Sequence, residues 1–158
     1  MKLFDIEVPD LLEGVKGATV GKINNDDDIY TAFGKVTHYC NMWEKKYKEY
    51  TEKKGFVIKK DASLWFTHKQ FKDFMDDDVF KKIEAVIKVR NHFEHEFLLD
   101  IFKENYGEQR IVDFNEIKNV MDLCYNLFCE GIDFVDNLID ALDLSGTYYA
   151  KRPTIFDK

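Results

Sequence analysis

From Asp78 onward, Phe80, Ile83, Val86, Ile87, Phe93, Phe97, Leu98 and Ile101 recur at steps of three and four residues. That spacing predicts an amphipathic helix reaching about Asn105. Asp76, Asp77 and Asp78 stand at its start, and Gly107 lies just beyond its end. Two further stripes share the period. Ile29, Phe33, Val36, Tyr39, Cys40, Trp43, Tyr47 and Tyr50 predict a helix to about residue 52. It is opened by the capping carboxylates of Asp26, Asp27 and Asp28 and broken at Gly55. Ile117, Val120, Met121, Cys124, Leu127, Phe128, Ile132, Val135, Leu138, Ile139 and Leu142 predict another, closed by Gly146. Asp113 and Glu116 have capping-box spacing at its start. Leu64, Trp65, Phe71 and Phe74 fit a short helix over 62–75.

The ends of the chain lack this period. Residues 1–25 partly alternate at Leu3, Ile6 and Val8 and then carry Gly14, Gly17 and Gly21, which fits an N-terminal arm or short strand. No Gly-Lys-Ser/Thr follows, so the glycines form no phosphate loop. Residues 144–158 have no period and are expected to form a flexible tail, in which Tyr148, Tyr149, Lys151 and Arg152 could meet a partner. The expectation is therefore an all-α fold. It consists of an antiparallel helical bundle of about four main helices over 26–143, with the arm at one end and the tail at the other.

One stretch contradicts its own helix. Stepping about 100° per residue puts Arg90 and Glu94 near the middle of the apolar face, with Asn91 and His95 on its flank. Polar groups on a buried face cost free energy unless they are paired or used.

Composition sets the frame for that anomaly. A chain of 158 residues, 45% hydrophobic, is long enough for one domain with a proper core. Fourteen Phe and eight Tyr supply enough aromatic surface for a helical core or a dimer interface. A net charge of −7 argues against diffuse binding to nucleic acid or anionic membrane. The charge is uneven, however. Residues 45–60 are rich in lysine, and Lys81, Lys82, Lys88 and Arg90 stand against Glu84 alone, whereas 113–143 are acidic. A polyanion could be steered to the basic side, with Lys81, Lys82 and Lys88 as candidate RNA contacts. Each charge taken singly also fits a solvated helix face.

Cys40, Cys124 and Cys129 are odd in number and lack CxxC spacing, so they are read as small core hydrophobes. Asp5, Glu7 and Asp10 interrupt any signal-peptide core, and no apolar run approaches the ~20 residues of a membrane span. A reducing, cytoplasmic setting without membrane contact is the expectation.

Arg90-Asn91-x-x-x-His95 resembles the R-x4–6-H signature of HEPN domains, in which a polar residue, often Asn, follows the Arg. Those domains are helical bundles found in toxin–antitoxin pairs, abortive-infection proteins and RNA-cleaving CRISPR effectors. The resemblance covers residues 26–143, and its specific positions are Arg90, Asn91 and His95. It implies metal-independent endoribonuclease activity, without a cofactor, leaving 2′,3′-cyclic phosphate and 5′-hydroxyl ends. A neutral imidazole can accept a proton from a ribose 2′-OH. A guanidinium stays charged and matches phosphate geometry, so Arg90 is expected to hold the scissile phosphate. Asn91, one turn from His95, would orient the imidazole or the substrate, with Glu94 in a supporting position.

On a straight helix Arg90 and His95 lie about 140° apart. The resemblance implies a homodimer whose two motifs face one cleft, and it implies an antitoxin or regulatory partner. In relatives paired with a nucleotidyltransferase antitoxin, a Tyr two residues after the His accepts AMP. Phe97 stands there in this chain and has no hydroxyl to modify.

Three other readings compete. Arg90 and Glu94 have the i,i+4 spacing of an ion pair serving only packing or register. His92, His95 and Glu96 have metal-ligand spacing on a helix, although His92 points about 60° away from His95. His38 and His68 have no ligand spacing and fit the core edge or the surface. A HEPN-like bundle without turnover could still bind RNA, a nucleotide or a protein through Arg90 and the lysine-rich segment.

Overall fold

The computed structural model describes residues 2–12, 26–56, 62–97 and 114–145. Four α-helices dominate them: α1 (Ile29–Lys53), α2 (Leu64–Gln70), α3 (Asp77–His92) and α4 (Phe114–Ser145). A 3₁₀ turn, Lys72–Phe74, follows α2, and a π turn, Phe93–Phe97, follows α3. The expected continuation of α3 to Asn105, the Asp113 cap and the tail from Gly146 onward fall outside the described residues. No helix among the described residues is long and apolar enough to cross a membrane.

Local chemistry sets the helix ends. Asp28 caps α1 by accepting from the Thr31 N–H at 2.7 Å, and Asp76 caps α3 by accepting from the Asp78 N–H at 2.9 Å. Ser63 caps α2 through the Phe66 N–H. At the end of α1 the Phe56 N–H bonds to the Thr51 carbonyl and the Gly55 N–H to that of Glu52. This Schellman arrangement needs a left-handed residue, which Gly55 supplies at φ 89°.

The arm forms a two-stranded antiparallel hairpin, β1 (Lys2–Leu3) with β2 (Ile6–Glu7), in register Lys2↔Glu7 and Leu3↔Ile6. Phe4 and Asp5 have φ of 52° and 60°, the type I′ signature of a tight hairpin. A bulky residue is strained there. The Phe4 ring is engaged on the bundle, stacking on His92 at 4.2 Å and meeting Phe97 at 5.4 Å.

Cross-helix pairs give the helix directions. Tyr39 meets Tyr125, Lys46 pairs with Asp136 and Lys53 with Asp143, so α1 and α4 run parallel. Lys82 lies over Phe134 and Phe93 against Phe128, so α3 runs opposite to α4. The closest packing joins the parallel pair, α1 and α4. Gly131 permits it. A Cβ there would lie 2.8 Å from Trp43 Cδ1, whereas a Cβ at Gly34 meets nothing within 4 Å. Gly131→Ala is expected to cost about 1–3 kcal/mol by overpacking. Gly34→Ala, in the second turn of α1, should add up to about 1 kcal/mol. Urea unfolding of both variants reads the opposite signs.

His68 corrects the core-edge or surface expectation, because it is completely buried. Its ring stacks on Phe80 at 4.0 Å, Nε2 donates to the Phe80 carbonyl at 2.9 Å, and Nδ1 accepts from the Tyr47 hydroxyl at 3.1 Å. The carbonyl can only accept, which fixes that neutral tautomer. The residue ties α1, α2 and α3 together, a role that sequence spacing does not reveal. Burial lowers its pKa to about 4 from the ordinary 6.5. The unfolded chain therefore binds this proton first on acidification. The His68 contribution is complete above pH 6.5 and is lost as the pH falls toward 4. Stability should drop by about 2–3 kcal/mol between pH 7 and 4.5 through this group. Denaturant unfolding of wild type and His68→Gln at both pH values isolates it, since the variant lacks that slope.

Candidate functional site

The misplaced polar residues meet partners from α1. Arg90 Nε donates to Glu44 Oε1 in a very short contact, Nη1 to Asn91 Oδ1 at 2.8 Å and Nη2 to Glu94 Oε2 at 2.9 Å. Cys40 donates its thiol proton to Glu94 Oε1 at 3.7 Å. The Arg90, Glu44 and Glu94 side chains are about one-fifth exposed, at 18%, 17% and 25%. One cation between two carboxylates leaves the cluster with an excess of one negative charge.

Cys40, Glu44 and Glu94 are the one set of potential metal donors converging among the described residues. Arg90 already donates to both carboxylates and supplies the positive charge a metal would bring. Burial, followed by the carboxylates of Glu94 and Glu44, pushes the Cys40 thiol well above its ordinary range, so it stands as a protonated donor to Glu94. His92, His95 and Glu96 do not converge as a donor set. His92 Nδ1 instead pairs with Glu96 at 2.9 Å.

Arg90, Asn91 and His95 line one cleft of about 600 Å³. Its other walls are Glu44, Lys48 and Glu52 of α1, residues 62–65 at the start of α2, and Thr67. The volume lies within the range of small-ligand sites. A π turn begins three residues after Arg90 and contains His95, so the separation of about 140° belonging to a straight helix does not apply here. A turn closed i→i+5 carries one extra residue and swings the following side chains round. Both side chains thus reach one cleft within a single chain. The His95 ring is exposed and makes no hydrogen bond or ion pair among the described residues.

A second cleft of about 400 Å³ adjoins the first, and the two share Trp65, Asn91 and His95. The hairpin supplies Phe4 and Ile6 to its wall, and α3 supplies Lys88 and His92. Of the three candidate RNA-binding lysines, Lys88 therefore stands beside the motif. Lys81 and Lys82 lie farther up α3, line neither cleft, and pair with Asp77 and Asp78 at 3.0 and 2.9 Å. Lys88 also pairs with Glu84, at 3.0 Å. Phe97 is buried against Phe93 and Phe4, so its position is closed to modification as well as lacking a hydroxyl.

Sequence reasoning missed Glu44, Trp65, Thr67 and Phe4. Glu44 did leave a signal, because it follows Val36 and Cys40 at four-residue steps along the apolar face of α1. It is the same anomaly as Arg90, on the facing helix. The other three become visible only when α2 and the hairpin are docked. Compared with protein-family models, curated proteins and solved structures, the chain matches none.

Proposed function

We propose that the protein is a metal-independent endoribonuclease of the HEPN type, a toxin or phage-defence component whose centre is Arg90, Asn91 and His95. The observation that carries this reading is the convergence of the three motif residues on one open cleft at a π turn. Such turns occur frequently at functional sites. His95 takes the proton of a ribose 2′-OH, and the 2′-oxygen attacks the adjacent phosphorus. The P–O5′ bond breaks and O5′ receives a proton, leaving a 2′,3′-cyclic phosphate and a 5′-hydroxyl. A guanidinium has five N–H groups. Arg90 spends three on Glu44, Asn91 and Glu94, leaving two for the phosphate oxygens. The carboxylates fix its orientation in advance.

A homodimer and a regulatory or antitoxin protein belong to the same proposal, without AMP transfer to position 97. A second reading, a non-catalytic HEPN-like module that binds RNA, a nucleotide or a protein, is favoured by the two carboxylates around Arg90. They reduce the positive potential available to a phosphate. The test is cleavage of RNA in EDTA by wild type, Arg90→Ala and His95→Ala. Loss in both variants supports the nuclease. Equal activity in all three overturns it.

A further inference from the structure

We propose that Trp65 is the base-stacking platform of the groove and confines its ligand to single-stranded RNA. This rests on the RNA reading above and adds a residue that the motif does not contain. Three observations meet at this position. The two clefts adjoin and share Trp65, Asn91 and His95, so a chain-like ligand laid along both passes His95 and the indole. Trp65 is half-buried, fixed against the core at its base and open to both clefts. The ammonium groups of Lys69 and Lys88 lie over its ring, 5.4 and 5.7 Å from the centre. A nucleobase stacking on the indole takes the place of an ammonium group, which then turns to the phosphates.

Thr67 supplies independent evidence for a ligand in the larger cleft. It is 1% exposed and lines that cleft, and its Oγ1 has no hydrogen-bond partner among the described residues. A buried hydroxyl left unpaired costs free energy. Thr67 Oγ1 is closed to solvent, and a small shift of the cleft wall would let the polar edge of a base standing on Trp65 pair it. A base within a duplex is already stacked on both faces and cannot lie on the indole, which gives the preference for single strands.

The test uses an uncleavable probe, a 2′-O-methyl RNA octamer, so that binding is read apart from turnover. Trp65 fluorescence reports binding, because the other tryptophan, Trp43, is buried in the core. Trp65→Leu is expected to weaken binding by about 10-fold or more, and Trp65→Phe to stay within about 3-fold of wild type. Thr67→Val should weaken binding by a few-fold with unchanged or raised stability, since it removes the unpaired hydroxyl. Fluorescence anisotropy of a labelled octamer serves the variants without Trp65, and duplex probe should bind more weakly than single strand. Equal affinity of wild type and Trp65→Leu overturns the platform even where His95→Ala abolishes cleavage. Binding that depends on Trp65 supports it even where wild type cuts no RNA, a result that would remove the nuclease alone.

Discussion

Replacing His95 with alanine is expected to lower RNA cleavage in EDTA by about 10²- to 10⁴-fold, the usual scale for removing a general acid–base group. The same change should leave stability within about 0.5 kcal/mol, because exposed side chains away from structural features contribute little. His95 is such a side chain, with no hydrogen bond or ion pair among the described residues. The two readouts together separate chemistry from structure. A large stability loss with parallel activity loss would place His95 in the packing of the π turn instead. Unchanged cleavage would remove it from the reaction. Product ends give a further check, since a 2′,3′-cyclic phosphate requires attack by the 2′-oxygen, whereas 3′-hydroxyl and 5′-phosphate ends would exclude that route.

Arg90→Ala should show the opposite balance, with a large structural effect alongside any catalytic one. Removing the guanidinium leaves Glu44 of α1 and Glu94 of the π turn without their cation, with the Cys40 thiol as a weak donor to Glu94. Stripping one partner from a fully buried pair costs about 3–5 kcal/mol. These groups are about one-fifth exposed, so solvent screening brings the expected loss to about 2–3 kcal/mol. Chemical denaturation measures it. The triple variant Arg90→Met, Glu44→Gln, Glu94→Gln should recover most of that stability, because no charge is then left unpaired. It should not recover cleavage. Recovery of both would make the cluster a packing device with no part in the reaction.

These expectations explain why the motif was partly legible. Arg90 and Glu94 stood out because 3.6-residue periodicity assigns a face to every position, and charge on the buried face needs a partner. Glu94 could be paired with Arg90 by counting four residues along one helix. Glu44 is 46 positions from Arg90, and nothing local to α1 says which residue of α3 it meets. The lysines illustrate the converse. Lys81 and Lys82 looked equivalent to Lys88 as charges, but only the placement of α2 and the hairpin puts Lys88 beside the motif. His68 has no ligand spacing, and its sequence context fits the core edge or the surface. The Phe80 carbonyl and the Tyr47 hydroxyl that let it lie in the core come from two other helices.

The sequence by itself determined the helices, most of their ends and the apolar faces that drive them together. Those features depend on interactions within a few residues: the 3.6-residue period, carboxylate and hydroxyl caps, and a glycine at φ 89° closing α1. Tertiary structure alone decided the parallel contact of α1 with α4 through Gly131, the clamp of Glu44 on Arg90, and the docking of α2 and the hairpin beside His95. The π turn belongs to the same group, since i→i+4 and i→i+5 closure differ by a single hydrogen-bond shift. Phe93 and Phe97, at the two ends of the turn, stack on each other, and Phe93 also packs on Phe33 of α1 and Phe128 of α4. A motif written in one stretch of chain thus names the candidate residues, while the neighbouring elements decide which cleft they face.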